Sequence, residues 1–319
     1  MLKTEIKVSA MPQSPPAPST AIHGVHHQPP HSAMPAGSCD CHTHVFGPTD
    51  RYPLAADRQY TPGQARLEDM LRLHDQLGIE RVVIVHPSPY GSDNSCTVDA
   101  LLALGGRGRG VAVIDEKTTD AQLQAMHDAG VRGVRINLET DGIQDPAMAT
   151  RQLLWAHDRV KDLGWHVQIY TNLTVFASLE PVLDQLSVPV VLDHFCRAQA
   201  ALGPDQAHFN TVLQRVRQGQ VWVKLSAPHR ISNAPDCADA ALVTQALIAA
   251  NPDRLLWGSD WPHPGAAPGK PRQRDVVEAF NPIDDGRALN RLVEWVNDPI
   301  TLKKILVDNP AKLYDFKTT

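Results

Sequence analysis

The chain has 319 residues, of which 42% are apolar and 20% are charged, and its formal charge is −5. This composition supplies a large core and excludes wholesale disorder. Acidic and basic residues are interspersed, which argues against the clustered positive surface that nucleic acids require.

The cysteine content and the hydropathy pattern bound the class of protein further. Five cysteines are widely scattered and odd in number, so they do not predict a disulfide framework. We therefore expect a reducing, cytoplasmic location. No run of about 18 apolar residues is present, so no membrane span is expected.

The first 36 residues differ in composition from the rest. They are rich in proline, serine and histidine, as in "MPQSPPAPST", and show no apolar periodicity. This pattern predicts a disordered arm over residues 1–36, whose histidines are solvated rather than metal ligands. The arm also lacks the apolar stretch of a secretory signal. Residues 37–319 are predicted to form a single domain.

From residue 38 onward, short β-rich runs alternate with helix-length amphipathic segments. The predicted strands lie in residues 38–45, 81–88, 109–116, 131–138, 166–172, 189–195, 221–227 and 254–261. The main predicted helices lie in residues 65–78, 118–130, 149–164, 205–219 and 237–251, and two more close the chain in 287–299 and 300–316.

This alternation predicts βαβ units and a parallel sheet, and eight units fit a (β/α)8 barrel. The alternative is a doubly wound open sheet. That fold would call for a glycine-rich dinucleotide turn after a strand, and none is found. "GGRGRG" at 105–110 precedes a strand, so we interpret it as a loop.

Polar residues gather at the predicted strand ends. His42 and His44 are two apart on the first strand and therefore share a face, and Asp40 is expected on the same face. Further polar residues at or near strand ends are Arg135, Tyr170, His194 and Asp260. Each alone is typical of core packing or of an exposed charge. Together the six residues other than Asp40 predict an active site, because unpaired polar groups are costly to bury and barrel enzymes build their sites where strands end.

The residue types in this set suit two kinds of hydrolytic chemistry. His42, His44, His194 and Asp260 can supply the ligands of a mononuclear Zn²⁺ site, which lowers the pKa of bound water and polarises a carbonyl. In a metal-free alternative, Asp260 is the general base, and histidines and an arginine stabilise the oxyanion. The residues alone leave both mechanisms open.

Nucleophilic catalysis is the less favoured alternative. The chain has no G-x-S-x-G elbow. Cys196 follows His194 by two residues, but the strand is expected to end before it. We therefore do not expect Cys196 to be the nucleophile.

Two segments, "DCHTHVFGP" near the start and "LLWGSDWPHP" near the end, resemble the amidohydrolase superfamily. Within it, the chain is similar to the branch that contains 2-pyrone-4,6-dicarboxylate lactonases. The likeness runs from about residue 38 to 315 and includes "VVLDHFCR" and "KLSAPHRIS".

The resemblance implies specific roles for residues that match the family pattern. His42, His44 and His194 would be the histidines of the catalytic centre, and Asp260 the aspartate that activates water. The implied substrate-anchoring residues are Tyr60, Arg135, Tyr170, Arg197 and Arg230. Arginine suits this task because it holds carboxylates through paired hydrogen bonds.

One segment departs from the dicarboxylate lactonase pattern. Where that branch has a second basic residue after the fourth-strand arginine, this chain reads "NLETDG". Sulfomuconolactone hydrolases are the neighbouring possibility. Their likeness implies zinc, whereas the dicarboxylate branch implies catalysis without a required metal. No strand-end lysine that could bridge two metals is evident, so a binuclear centre is not expected.

The sequence thus predicts a hydrolase that opens the ring of a small anionic lactone in aromatic-compound breakdown. Its expected partner is the lactone substrate, with no nucleic acid or membrane, and the oligomeric state is left open. The alternatives are a sugar-acid lactone isomerase, a metal-dependent decarboxylase on the same barrel, and a binding protein without catalysis.

Overall fold

The computed structural model describes residues 21–265 and 272–317. Within them, eight strands form one parallel sheet in chain order. These are β1 (Cys39–Thr43), β2 (Arg81–Val85), β3 (Gly108–Ala112), β4 (Val131–Ile136), β5 (His166–Ile169), β6 (Val190–Leu192), β7 (Val221–Ser226) and β8 (Leu255–Gly258).

Two backbone hydrogen bonds join the first strand to the segment after the last. The Asp260 amide donates to the His42 carbonyl at 2.8 Å, and the His44 amide donates to the Trp261 carbonyl at 2.8 Å. The sheet therefore closes on itself, which confirms the predicted (β/α)8 barrel.

Helices cover the outside of the barrel. In the described residues they are α1 (Leu67–Leu77), α2 (Ser95–Leu104), α3 (Asp120–Asp128), α4 (Pro146–Val160), α5 (Leu173–Leu183), α6 (Phe209–Arg217), α7 (Ala240–Ala250), α8 (Asp285–Val296), α9 (Pro299–Lys303) and α10 (Asn309–Tyr314). Local signals explain several ends: α3 begins at a capping box between Thr119 and Gln122, and α1 ends at left-handed Gly78. None of these helices has the length and apolar character of a membrane span.

Strand alternation sorts the side chains between two layers. Val167 and Ile169 of β5 pack in the apolar layer beneath the helices, whereas Gln168 points into the barrel and bonds to Lys224 of β7. At the amino-terminal end, the interior is filled by an apolar cluster that includes Trp222 and Tyr314. Polar His166, at the start of β5, is buried against Tyr314 at this end, with 5.2 Å between the two ring centroids.

An irregularity in β1 changes which residues face inward. Asp40 pairs with Val82 and Thr43 with Ile84, so three steps along β1 oppose two along β2. Such a bulge shifts the alternation of side chains. Asp40 consequently faces outward, where its Oδ2 lies 3.3 Å from Nε2 of His74 on α1. The prediction that Asp40 shares a face with the two histidines was wrong for this reason.

Part of the expected amino-terminal arm lies against the barrel. Residues 1–20 are outside the described residues, but Ile22 is buried in the core and His27 is buried beside α8. The Asp285 amide donates to His27 Nδ1 at 3.1 Å, and the Gln28 amide donates to Asp284 Oδ1 at 2.9 Å. Residues 21–36 thus differ from the expectation, because a few specific contacts order them without any apolar periodicity.

Candidate active site

The centre of the site is Oδ1 of Asp260, which three histidines face. Nε2 of His44 lies 3.4 Å from it, Nε2 of His42 lies 3.6 Å away, and Nε2 of His194 lies 3.7 Å away. His42 and His44 come from β1, His194 follows β6 and Asp260 follows β8. The barrel thus brings together four residues that are as much as 218 positions apart in the sequence.

The other ring nitrogens are held by the surrounding protein. His44 Nδ1 donates to the Val85 carbonyl at 2.8 Å, and His194 Nδ1 lies 2.8 Å from the Ser226 hydroxyl. His42 Nδ1 lies 3.2 Å from Oδ1 of Asp193. Partners of this kind fix the ring orientation and direct each Nε2 toward the centre.

Two of the four residues have an unusual backbone conformation. His194 has a φ of 48° and Asp260 a φ of 71°, both in the left-handed region that non-glycine residues rarely adopt. Strained backbone of this kind concentrates at functional sites, where surrounding contacts hold it in place. Here both residues follow shortly after their strands and line the cavity.

The charge states in the centre are set by burial and by Arg230. Burial lowers the pKa of His42 to about 4 and that of His194 well below its usual value, so both imidazoles are neutral at pH 7. Burial alone would raise the pKa of Asp260, but Arg230, followed by the histidines, holds it well below the usual range. The centre is therefore a carboxylate faced by the neutral imidazoles of His42 and His194.

This arrangement fits a metal ion. In neutral His42, Nδ1 lies 3.2 Å from the Asp193 carboxylate, which favours the proton on Nδ1 and leaves Nε2 as a bare acceptor that faces Asp260 Oδ1. His42 Nε2 and Asp260 Oδ1 are buried and have no hydrogen-bond partner among the described residues. Ligand atoms of tetrahedral zinc lie about 3.4 Å apart, given Zn–N bonds of about 2.0 Å. The separations of 3.4–3.7 Å from Asp260 Oδ1 match this spacing for each histidine taken with Asp260. The ligand atoms of His42, His44 and Asp260 also lie within 4.8 Å of one another, in a cluster that does not include His194.

A cavity of about 750 Å³ opens above this centre. His44, His194 and Asp260 line its floor, and His42 lies buried beneath it. The residues predicted to anchor substrate also line it: Tyr60, Arg135, Tyr170, Arg197 and Arg230. The structure thus brings the predicted residues to one place, while their roles remain predictions.

Each arginine of the cavity has a carboxylate partner. Arg230 reaches Asp260 at 2.7 Å, and Arg135 reaches Asp193 at 2.9 Å. The remaining pairs are Arg197 with Glu139 at 3.6 Å and Arg272 with Glu278 at 2.9 Å. Arg272 also lies over the ring of Tyr60, with 3.8 Å between Cζ and the ring centroid. Sequence analysis missed Arg272 because it lies in an irregular loop without periodicity.

A buried charged network below the centre was also missed. Asp193 receives hydrogen bonds from Arg135 and Gln168 and lies 3.8 Å from Nζ of Lys224. Lys224 is fully buried within β7, not at its end, and donates to Gln168 at 2.6 Å. Asp193 directly precedes His194 in "VVLDHF". Its partners Arg135, Gln168 and Lys224 lie on three other strands, and only the closed barrel brings them together.

Cys196 is fully buried and is not among the residues that line the cavity. Burial raises the pKa of its thiol, so the nucleophilic thiolate form is disfavoured. This geometry supports the expectation that Cys196 is not the nucleophile.

A (β/α)8 barrel with a histidine and aspartate cluster at its strand ends defines a class of barrel enzymes with the active site at the carboxyl-terminal face. Residues 39–316 match the family model described as amidohydrolase. The chain belongs to the amidohydrolase family.

Characterised relatives and solved structures are similar over most of their length. The chain is 37% identical to 4-sulfomuconolactone hydrolase of Hydrogenophaga intermedia, covering 91% of this chain and 92% of that protein. It is 36% identical to 2-pyrone-4,6-dicarboxylate hydrolase of Comamonas testosteroni, covering 89% and 92%. The solved structure of a probable 2-pyrone-4,6-dicarboxylic acid hydrolase from Acinetobacter baumannii, with citric acid bound, is 26% identical, with a TM-score of 0.74 over 88% of this chain and 100% of that one.

Proposed function

We propose that this protein is a hydrolase that opens the ring of an anionic lactone. The observation that carries the proposal is the convergence of three histidines on Asp260 Oδ1, beneath a cavity with four arginines. The two relatives named as hydrolases of 4-sulfomuconolactone and 2-pyrone-4,6-dicarboxylate support the same reaction class.

Asp260 is the group placed to activate water. Its low pKa keeps the carboxylate ionised, and Oδ1 is free to accept a proton because Arg230 donates to Oδ2. The water oxygen bonds to the lactone carbonyl carbon, and the bond from that carbon to the ring oxygen breaks. The proton taken by Asp260 passes to the ring oxygen, which becomes the hydroxyl group of the product. The new carboxylic acid ionises and releases one proton to solution.

Residues of the cavity wall orient the substrate. Tyr60 lies near Arg230 and Arg272, so this part of the wall presents two guanidinium groups beside a phenol. Burial raises the pKa of Tyr60 to about 12, so the phenol keeps its proton and donates a hydrogen bond. Guanidinium groups bind carboxylates and sulfonates with defined geometry, which holds the lactone carbonyl over Asp260.

The residues that would hold a metal are His42, His44, His194 and Asp260. We propose that they bind one Zn²⁺, because a bare imidazole nitrogen facing a carboxylate oxygen is unfavourable without a cation between them. When bound, zinc would act as a Lewis acid on the carbonyl and lower the pKa of a water molecule toward neutrality.

Aromatic-compound breakdown is the metabolic setting that we propose, with sulfomuconolactone and 2-pyrone-4,6-dicarboxylate as the first substrates to test. Both proposals rest on the names of the relatives. A cytoplasmic location, expected from the cysteine pattern, also stays a prediction.

The test is to incubate the purified protein with a panel of pyrone and muconolactone acids and to analyse the products by mass spectrometry and proton release. We expect a product heavier by one water and one proton released per turnover. An isomeric lactone without net hydrolysis would indicate an isomerase, and released CO₂ would indicate a decarboxylase. Saturable binding without turnover would indicate a binding protein.

A further inference from the structure

Glu139 places a carboxylate in the wall of a cavity that otherwise presents arginines. It lies on the loop after β4 and lines the cavity together with Arg197 and Tyr170. Its side chain is 24% exposed, so part of the carboxylate surface is open to a bound molecule. The proposed reaction has no use for this group, since Asp260 already supplies the base.

Several contacts hold Glu139 in place. Its backbone amide donates to the Tyr170 carbonyl at 3.0 Å. Its Oε2 accepts a hydrogen bond from Asn172 Nδ2 at 3.1 Å. Asn172 is itself fixed, because its Oδ1 accepts from the Val175 amide and caps α5. These contacts hold the Glu139 carboxylate in a fixed position in the cavity wall.

The other oxygen, Oε1, lies 3.6 Å from Nε of Arg197. This distance defines an ion pair rather than a hydrogen bond, so Oε1 and Nε can each still bond to a polar group that lies beside the pair. Asp141 adds a second carboxylate on the same loop and lines the adjoining cavity beside Arg135. A second acid group of a substrate placed at Glu139 would meet the guanidinium of Arg197 and the carboxylate of Glu139.

The chemistry of this ion pair selects the group that can bind beside it. A carboxylate or sulfonate can accept from Arg197 but has no proton for Glu139, and the like charges repel. An ammonium group can donate to Glu139 but is repelled by Arg197. A neutral hydroxyl group both donates to Glu139 and accepts from Arg197, which satisfies both partners.

We propose that Glu139 determines substrate specificity by accepting a hydrogen bond from a hydroxyl group of the lactone. The preferred substrate then carries one acid group, held near Arg230 and Arg272, and a hydroxyl group at Glu139 in place of a second acid group. This inference deepens the proposed function and rests on it for the identity of the site.

The experiment compares two lactones with the same ring: one with two carboxylates, and one in which the distal carboxylate is replaced by hydroxymethyl. Values of kcat/KM are measured for both. Binding of the two corresponding lactams, which resist opening, is measured by calorimetry. We expect wild-type protein to favour the hydroxymethyl compounds by about tenfold or more, a difference of about 1.4 kcal/mol in binding.

Variants assign the preference to Glu139. Glu139→Gln keeps the shape and removes the charge, and it should abolish or reverse the preference, while Asp141→Asn should weaken it less. Exposed Glu80, on the loop before β2 and outside both cavities, provides the matched control, and Glu80→Gln should leave the preference unchanged. If Glu139→Gln does not fold, Glu139→Asp, which withdraws the carboxylate by one methylene, should also reduce the preference.

The outcomes separate this inference from the proposed function. Tighter wild-type binding of the dicarboxylate lactam, or a preference that Glu139→Gln leaves intact, would overturn the inference. If the lactams bind with the expected preference but neither lactone is opened, lactone hydrolysis fails and the role of Glu139 in recognition stands. If both lactones are opened equally well, hydrolysis stands and the inference fails.

Discussion

Arg230 donates two hydrogen bonds to Oδ2 of Asp260, from Nε at 3.0 Å and from Nη2 at 2.7 Å. The guanidinium therefore occupies one carboxylate oxygen and leaves Oδ1 to the three histidines. This division gives the carboxylate two tasks. One oxygen is a fixed electrostatic anchor, and the other is available for proton transfer or for a metal ion.

Replacement of Asp260 tests the base directly. Asp260→Asn should lower kcat by about 10²–10⁴, the usual contribution of a positioned general base. The amide still accepts from Arg230, so far-UV circular dichroism should remain that of the folded protein. Exposed Asp205→Asn is the matched control and should keep full activity. Turnover at the wild-type rate in Asp260→Asn would refute the proposed role.

Metal content tests the proposed zinc site. We expect about one equivalent of zinc per chain by elemental analysis, with loss of activity on chelation and recovery when zinc is restored. His42→Ala and His194→Ala should each lower the zinc stoichiometry, whereas exposed His31→Gln should not. Full activity in protein shown to be free of metal would favour the metal-free mechanism.

The buried pair of Asp193 and Lys224 should couple strongly in stability. Removing one member leaves an uncompensated buried charge, which costs about 3–5 kcal/mol. We therefore expect Asp193→Asn and Lys224→Met each to lower the free energy of unfolding in urea, and the double variant to lose less than the sum. Additive effects within about 0.5 kcal/mol would show that the two charges do not interact.

Acid sensitivity should arise from histidines that are buried in neutral form. Burial lowers the pKa of His166 to about 3 and that of His86 to about 4. Between these values and the unfolded value of about 6.5, the unfolded chain binds protons that the folded chain does not, so stability should fall as the pH falls through this window.

His166→Leu should reduce the slope of the free energy of unfolding against pH in this acidic range. The reduction should be at most about 1.4 kcal/mol per pH unit, the contribution of one titrating group. The measurement is the free energy of unfolding in urea from pH 7 to about pH 4. Exposed His31→Gln is the control and should leave the slope unchanged. A wild-type slope in His166→Leu would contradict the assignment.

The thiol of Cys196 should play no part in turnover. Burial raises its pKa, so the thiolate is scarce in the folded protein. Cys196→Ala should keep kcat close to that of wild type, and the thiol should resist alkylation until the protein is unfolded. Loss of activity in a folded Cys196→Ala variant would instead support nucleophilic catalysis by Cys196.

Much of the fold and of the site could be predicted from local pattern. Period-two alternation placed Gln168 and Tyr170 inward, and strand ends placed His194 and Asp260 at the same face of the barrel. These features depend on residues close in sequence, or on the general rule that parallel strands end together.

The features that were missed depend on contacts between distant segments. A bulge in β1 turned Asp40 toward α1, and the residue types of β1 do not predict this bulge. Lys224 became a partner of Asp193 only through closure of the barrel. The packing of residues 21–36 rests on a few hydrogen bonds to α8, which have no repeating pattern in the sequence.

The seam where β1 meets β8 has a consequence for the biosynthesis of the protein. The Asp260 amide is bonded to the His42 carbonyl, so the same two residues complete both the barrel and the cluster of histidines around Asp260. A nascent chain lacks this cluster until the eighth strand has left the ribosome and docked against the first. We therefore expect hydrolytic activity only after β8 has docked, and a truncated product that lacks this strand should be inert.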